Sequence, residues 1–415
     1  MTSEINVPGI VETTAGPVRG VVDGAVTAYR GIPYAQAERF GKPQPSVSWT
    51  DVRAATEFGP AAPQSASRLA RVMGDFEIRQ DEDCLSLNVW APPGEGHPVL
   101  VFLHGGGFSS GAGSLGWYDG AEFAALGDVV VVTVNYRLGV FGYLRLPGVS
   151  DGNLGLLDQI AGLTWVRENI AAFGGDPDRV TAAGQSAGAI SLVAMLSGEP
   201  GRGLFQQAVL QSTPLGMLPA TPDDAAQTGG KLLQELGIDA EQLGAVPVAE
   251  LLAAQSAVAS RAPSRIIPPF QLTGDGTLVD ADPAGAVGRH STMPILLGTT
   301  RDEAAAFFSD DWNAMAQATE QGFGGPTRQL AAALGERGVA PWLYRFDWQP
   351  DGSPFGACHC LELPFLLGDA DAWQHAPMLQ RRASAATGRR DAPQLDRFRP
   401  GRRSGVGAGQ HPALH

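Results

Sequence analysis

Cysteine is scarce. Cys84, Cys358 and Cys360 are the only three in 415 residues, too few for a disulfide framework, so the chain carries no sign of export. Basic charge is scarce too. Lys and Arg total 29 against 43 acidic residues, a formal net charge of −14, which argues against a phosphate-binding surface and against nucleic acid as a partner. No apolar run reaches the about 18 residues that a membrane span needs. The stretch from Met1 to Gly20 has neither the basic nor the apolar region of a signal peptide. No internal repeat occurs. Hydrophobic residues at 44% and charged residues at 17% then describe a chain able to bury a large core. A soluble, cytoplasmic protein is expected.

The little basic charge present is unevenly spread. Residues 381–415 hold eight arginines and two acids, leaving 21 of the 29 basic and 41 of the 43 acidic residues in the first 380 positions. The last stretch also loses apolar periodicity. One acidic globular domain over 1–380 is expected, followed by an Arg-rich, disordered tail over 381–415.

Alternation around Gly16-Pro17 and Asp23-Gly24 predicts short antiparallel strands in the first thirty residues. Strands are also predicted over Leu85–Trp90, Pro98–Leu103, Val129–Val134, Arg179–Ala183, Pro294–Leu297 and Leu343–Phe346, with another at Val209-Leu210. Helical spacing of apolar residues marks Leu156–Ile170, Ala187–Leu196 and Ala225–Leu236. Strands alternating with helices imply an α/β fold with a mostly parallel sheet flanked by helices. In such folds chemistry sits in loops at the carboxyl ends of strands.

The pattern Gly-x-Ser-x-Gly occurs at 107–111, 148–152 and 184–188. A nucleophilic serine on a strained turn needs a strand before it and a helix after it. Ser109 has no helix behind it and Ser150 sits in an ordinary turn, so Ser186 is the candidate. His104-Gly105-Gly106-Gly107 follows a strand where backbone N–H groups could stabilise an oxyanion, with the N–H of Ala187 as the complement. If the chain order is nucleophile, acid, histidine, then His97 and His104 come too early. His290 falls at the wrong end of a strand, and His411 and His415 belong to the tail. His359 is the candidate base, with His375 in reserve. The acid is Asp302 or Glu303, which periodicity does not separate, and Asp302 also suits the N-cap of a helix starting near Ala304.

Many short segments together carry a family resemblance. They include Arg30-Gly31-Ile32-Pro33-Tyr34-Ala35, Glu82-Asp83-Cys84-Leu85-Ser86-Leu87-Asn88-Val89 and His104-Gly105-Gly106-Gly107-Phe108. Asn135-Tyr136-Arg137-Leu138-Gly139, Phe173-Gly174-Gly175-Asp176-Pro177, Gly184-Gln185-Ser186-Ala187-Gly188-Ala189, Asp302-Glu303 and His359–Gly368 continue the series. Over roughly residues 10–370 the chain resembles the type-B carboxylesterases, a branch of the α/β-hydrolase fold that includes para-nitrobenzyl esterases, liver carboxylesterases and cholinesterases. The resemblance implies Ser186 as nucleophile, Glu303 as acid, His359 as base, and Gly106, Gly107 and Ala187 as oxyanion donors. It further implies that Ser212 lies beside the acid, and that Arg39 pairs with Glu82 and Arg137 with Asp176. The chain departs from the family in several places. Gln185 stands where many relatives have Glu, Cys84 has no upstream cysteine, and no Trp lies between Trp49 and Trp90. The segment from Glu303 to His359 is short, and the usual C-terminal helix is not recognisable after Gln380.

The expected protein is a serine hydrolase that cleaves neutral carboxylic esters through an acyl-enzyme. Its partner is a small-molecule ester, and it needs no metal or organic cofactor. The same residues could serve an amidase or carbamate hydrolase. An inactive, esterase-like binding module is the alternative of another class.

Overall fold

The computed structural model of the chain describes residues 9–199, 201–262, 266–308 and 311–380. The Arg-rich segment 381–415, with His411 and His415, lies outside the described residues. A nine-stranded sheet organises the rest. Its strands in chain order are β1 (Val21–Asp23), β2 (Val26–Pro33), β3 (Ser86–Ala91), β4 (His97–Leu103), β5 (Val130–Val134), β6 (Gly175–Gln185), β7 (Gln207–Gln211), β8 (Ile295–Thr300) and β9 (Trp342–Phe346). In space they run β9-β8-β7-β6-β4-β5-β3-β2-β1. From β9 to β5 every neighbouring pair is parallel. From β5 to β1 every pair is antiparallel. The short N-terminal strands therefore form the antiparallel end of an otherwise parallel sheet, and Ile10–Glu12 pairs antiparallel with Pro17–Arg19 beside it.

All five residues of β5 are buried, which is what a β-branched run covered on both faces requires. Along β4 the side chains alternate between two cores. Val99, Val101 and Leu103 join a cluster with Leu156, Leu163 and Leu192, whereas Phe102 joins one containing Leu363 and Trp373. A period of two sends neighbours to opposite faces. The helices α1 (Leu154–Asn169), α2 (Ala187–Ser197), α3 (Pro222–Leu236) and α4 (Pro283–His290) connect the strands. The predicted helix over 156–170 is therefore α1, displaced by two residues at its start. Among the described residues no helix is long and apolar enough to cross a membrane.

Of the two ion pairs that the resemblance implies, one forms. Arg39 Nε donates to Glu82 Oε2 at 2.7 Å. Arg137 does not reach Asp176. Instead it holds Asp158 of α1 through Nε at 2.8 Å, Nη2 at 2.7 Å and its backbone N–H at 3.1 Å. Burial pushes the Asp158 carboxyl up and Arg137 opposes that shift. A carboxylate with no access to water needs such a cation. Asp176 is only half-buried, and accepts the N–H of Asp178 at 2.9 Å.

Candidate active site

Ser186 is the single residue between β6 and α2, and its backbone is strained, with φ 54° and ψ −114°. Positive φ at a residue with a Cβ costs on the order of 1–3 kcal/mol, so the surroundings must enforce it. The Ser186 N–H donates to Gln211 O at 2.9 Å, extending the β6–β7 pairing by one residue. Its carbonyl accepts from Ile190 N at 2.9 Å, the first turn of α2. Gly188 lets the helix start pass over the end of β4, since a Cβ there would lie 2.0 Å from Leu103 O. The other two candidate serines are placed differently. Ser109 Oγ donates to Gly106 O at 3.2 Å in a turn, and Ser150 Oγ accepts from Gly152 N at 3.1 Å.

β4 leads into His104-Gly105-Gly106-Gly107. Gly106 has φ 114°, and a Cβ on it would lie 1.9 Å from Ser110 O, so only glycine fits there. Gly106, Gly107, Ser186 and Ala187 line one pocket, walled by Phe108, Met217, Phe307 and Phe323 among others. It adjoins a wider cleft of about 530 Å³, which shares Arg68, Pro268 and Phe307 with it. His104 itself is buried and stacked on Tyr136 at 4.2 Å between ring centroids. Desolvation holds its pKa down at about 4, against a hydrogen bond to Gly105 O.

Glu303 follows β8 as the first residue of the short helical turn Glu303–Ala306, and no part of it is exposed. Its Oε1 accepts the N–H of Thr300 at 2.8 Å, and its Oε2 accepts from His359 Nδ1 at 2.5 Å. The segments carrying them are tied together by a two-stranded bridge between Asp302 and Cys358. Asp302 N donates to Ala357 O and Ala357 N to Asp302 Oδ2, each at 2.9 Å. Asp302 occupies the N-cap position, but its side chain makes no cap bond. It holds Ala357 and Arg301 instead, because the His359 segment supplies an N–H before the helical turn does.

His359 Nε2 meets the side-chain amide nitrogen of Gln185 at 3.1 Å, and that nitrogen also donates to Cys360 Sγ at 3.3 Å. Phe307 and Phe323 pack on the imidazole, each with its ring centroid 5.4 Å away. His375 is exposed, and His290 ends α4 ahead of β8. Cys84, Cys358 and Cys360 are all buried free thiols.

Ser212 does not bond Glu303. Its Oγ donates to Glu362 Oε1 at 3.3 Å, and its N–H donates to Gly298 O at 2.7 Å. Glu362 is the site residue that sequence reasoning missed. It is buried, and its Oε2 finds no partner among the described residues. Desolvation, followed by the charge of Glu303, pushes its pKa up to about 7. A carboxylate three residues after the candidate histidine was the available signal.

A mostly parallel sheet flanked by helices, a strained serine between strand and helix, and a Glu–His pair after later strands define an α/β-hydrolase. A sequence model of the Carboxylesterase family matches residues 7–322, and the chain belongs to that family. It is 40% identical over 412 residues to a probable N-octanoylanthranilate hydrolase of Rhodococcus erythropolis, covering 89% of this chain and 87% of the relative. It is 40% identical over 410 residues to the para-nitrobenzyl esterase of Bacillus subtilis (strain 168), covering 87% and 83%. A solved structure of a PNB esterase superposes with a TM-score of 0.81 at 38% identity, covering 88% of this chain and 85% of that one. The chain is a carboxylic ester hydrolase.

Proposed function

We propose that Ser186, His359 and Glu303 form a catalytic triad that cleaves uncharged carboxylic esters of small molecules through an acyl-enzyme. The observation that carries this reading is the 2.5 Å contact between Glu303 and His359 Nδ1, with the imidazole packed on Phe307 and Phe323, which wall the pocket that the strained Ser186 shares with Gly106, Gly107 and Ala187. With Nδ1–H donating to Glu303, the Nε2 lone pair is left to accept a proton. Ser186 Oγ bonds to the carbonyl carbon while its proton passes to His359 Nε2. The N–H groups of Gly106, Gly107 and Ala187 hold the resulting oxyanion. Collapse breaks the ester C–O bond, and the departing alcohol takes the proton from His359. Water then repeats both steps on the acyl-enzyme, releasing the acid and restoring Ser186. Glu303 holds the imidazole in place throughout, and Gln185 yields Nε2 to the serine. No step calls for a metal or organic cofactor.

A cytoplasmic location belongs to the same reading, and the three buried free thiols support it. An amide-cleaving activity is the second reading, favoured by the relative named for hydrolysis of N-octanoylanthranilate. A p-nitrophenyl ester series from acetate to octanoate, run beside an anilide and a carbamate, separates the two. Ser186→Ala should lower kcat by about 10⁶-fold, as loss of a triad nucleophile does, and abolish fluorophosphonate labelling. Labelling that survives in this variant would remove Ser186 from the role.

A further inference from the structure

The outer cleft has about 530 Å³ of space, against about 30 Å³ in the pocket around Ser186 that it adjoins. The inner pocket therefore holds the reacting ester and little more, and the rest of a larger substrate has to lie in the cleft. Phe307 indicates which end goes there. It lines both spaces and packs on the His359 imidazole, with 5.4 Å between ring centroids. In the proposed reaction His359 protonates the departing alcohol, so the alcohol portion sits on the Phe307 side and runs out into the cleft.

Gln255 stands in the cleft wall, on the helix Val248–Ser260, and is only 5% exposed. Its Oε1 accepts the N–H of Val140 at 2.7 Å, in the short helix Gly139–Tyr143. That bond fixes which end of the amide is oxygen. A Cβ at Gly139 would lie 2.1 Å from Oε1, so the amide has its seat because residue 139 is glycine. The Gly139 N–H in turn donates to Phe108 O at 2.6 Å, which ties this corner of the cleft to the oxyanion loop. Gln255 Nε2 has no partner among the described residues, yet it is not sealed off from the cleft. Serines of the same wall have their protons committed: Ser256 Oγ donates to Leu252 O at 2.9 Å, and Ser260 Oγ to Ala257 O at 2.8 Å. The Gln255 amide keeps both of its donors. When a substrate expels water from the cleft, donors on so buried a side chain stay unsatisfied unless the substrate brings an acceptor.

We propose that Gln255 is a specificity-determining residue whose Nε2 donates to an uncharged oxygen in the alcohol portion of the ester. The preferred substrates are neutral esters of oxygen-bearing alcohols, over their hydrocarbon isosteres. This rests on the esterase reading of the site and narrows it. Binding energy gained at Gln255 holds the ester while Ser186 attacks, so it appears in kcat/KM.

Pairs that exchange an ether oxygen for a methylene test the inference. 2-Methoxyethyl butyrate against n-butyl butyrate, and 2-(2-methoxyethoxy)ethyl butyrate against n-heptyl butyrate, place the oxygen at increasing reach. In at least one pair the ether ester should have the higher kcat/KM by roughly 2- to 10-fold, the range for a neutral hydrogen bond. An apolar wall alone would favour the alkyl ester. The ratio should fall to unity or below in Gln255→Glu, which keeps an oxygen for the Val140 N–H and replaces the donor with an acceptor. Gln255→Leu removes the donor without adding charge and should do the same, so either variant gives the reading if the other fails to fold. Both esters are measured on one preparation, and a smaller folded fraction cancels from the ratio. If the parent enzyme turns over these esters with both ratios at unity or below, or if the ratio survives in the variants, Gln255 serves only to hold Val140 and the inference is wrong. No turnover of any ester, p-nitrophenyl acetate included, overturns the esterase reading and this inference with it.

Discussion

Glu303 has two oxygens with different tasks, and the backbone decides which is which. The N–H of Thr300 claims Oε1, leaving Oε2 for His359 Nδ1. In Glu303→Gln the same N–H would keep the amide oxygen, so the amide NH₂ would be forced towards Nδ1. The imidazole would then carry its proton on Nε2, where it cannot accept one from serine. We expect kcat to fall by about 10⁴-fold, the effect of a wrong histidine tautomer. Asp302→Asn keeps an oxygen for Ala357 N and loses only the ionic part of its contact with the partly exposed Arg301. Its cost should be about 1 kcal/mol or less of stability, with kcat near the parent value. Steady-state kinetics and thermal melting of the two variants check this, and equal losses of kcat would contradict it. Asp302 and Glu303 are adjacent in one loop, so no periodicity distinguishes them. The difference arises from Thr300 and Ala357, and Ala357 is brought close only by tertiary structure.

At the scale of elements, the turn between β6 and α2 was legible because every part of it is local. A β-branched strand, two glycines around a serine and an apolar helix follow one another without a gap. The scaffold pair of Arg137 was not legible. Its partner Asp158 lies inside α1, where an acid among apolar residues could equally have faced solvent. Glu362 was hidden for a similar reason, since its environment comes from Ser212 and Glu303, which follow β7 and β8 far away in the sequence. The turn has its own prediction. A Cβ at Gly188 would lie 2.0 Å from Leu103 O and 2.8 Å from His104 O, both backbone atoms that cannot swing aside. Gly188→Ala should therefore push α2 away from β4, at about 1–3 kcal/mol of stability. Because Gly106 and Gly107 continue directly from His104, the same push should separate Ser186 from the oxyanion donors and lower kcat. Denaturant unfolding and kinetics together test this, and a variant with parent values of both would show that the close approach is not required.

Across the whole molecule, two buried groups pull stability in opposite directions as pH changes. Glu362 titrates at about 7 in the fold, against an ordinary value of 4.5, because burial and then Glu303 disfavour its charge. Between those values the folded chain holds a proton that the unfolded chain has released, so this group's contribution falls as pH rises from 4.5 to 7. His104 titrates at about 4 in the fold, against an ordinary 6.5, because it is desolvated. Between those values the unfolded chain binds the extra proton, so its contribution falls as pH drops from 6.5 to 4. From 4.5 to 6.5 the two slopes have opposite signs and largely cancel, and from 6.5 to 7 the Glu362 slope stands alone. Glu362→Gln removes one of them. The unfolding free energy of the variant relative to the parent should rise steadily from pH 4.5 to 7, by about 3 kcal/mol at most, and level off above that. Urea unfolding of both proteins at several pH values measures the difference directly. A difference that stays flat across this window would mean that Glu362 is already ionised in the fold, and that Ser212 and His359 compensate its burial fully.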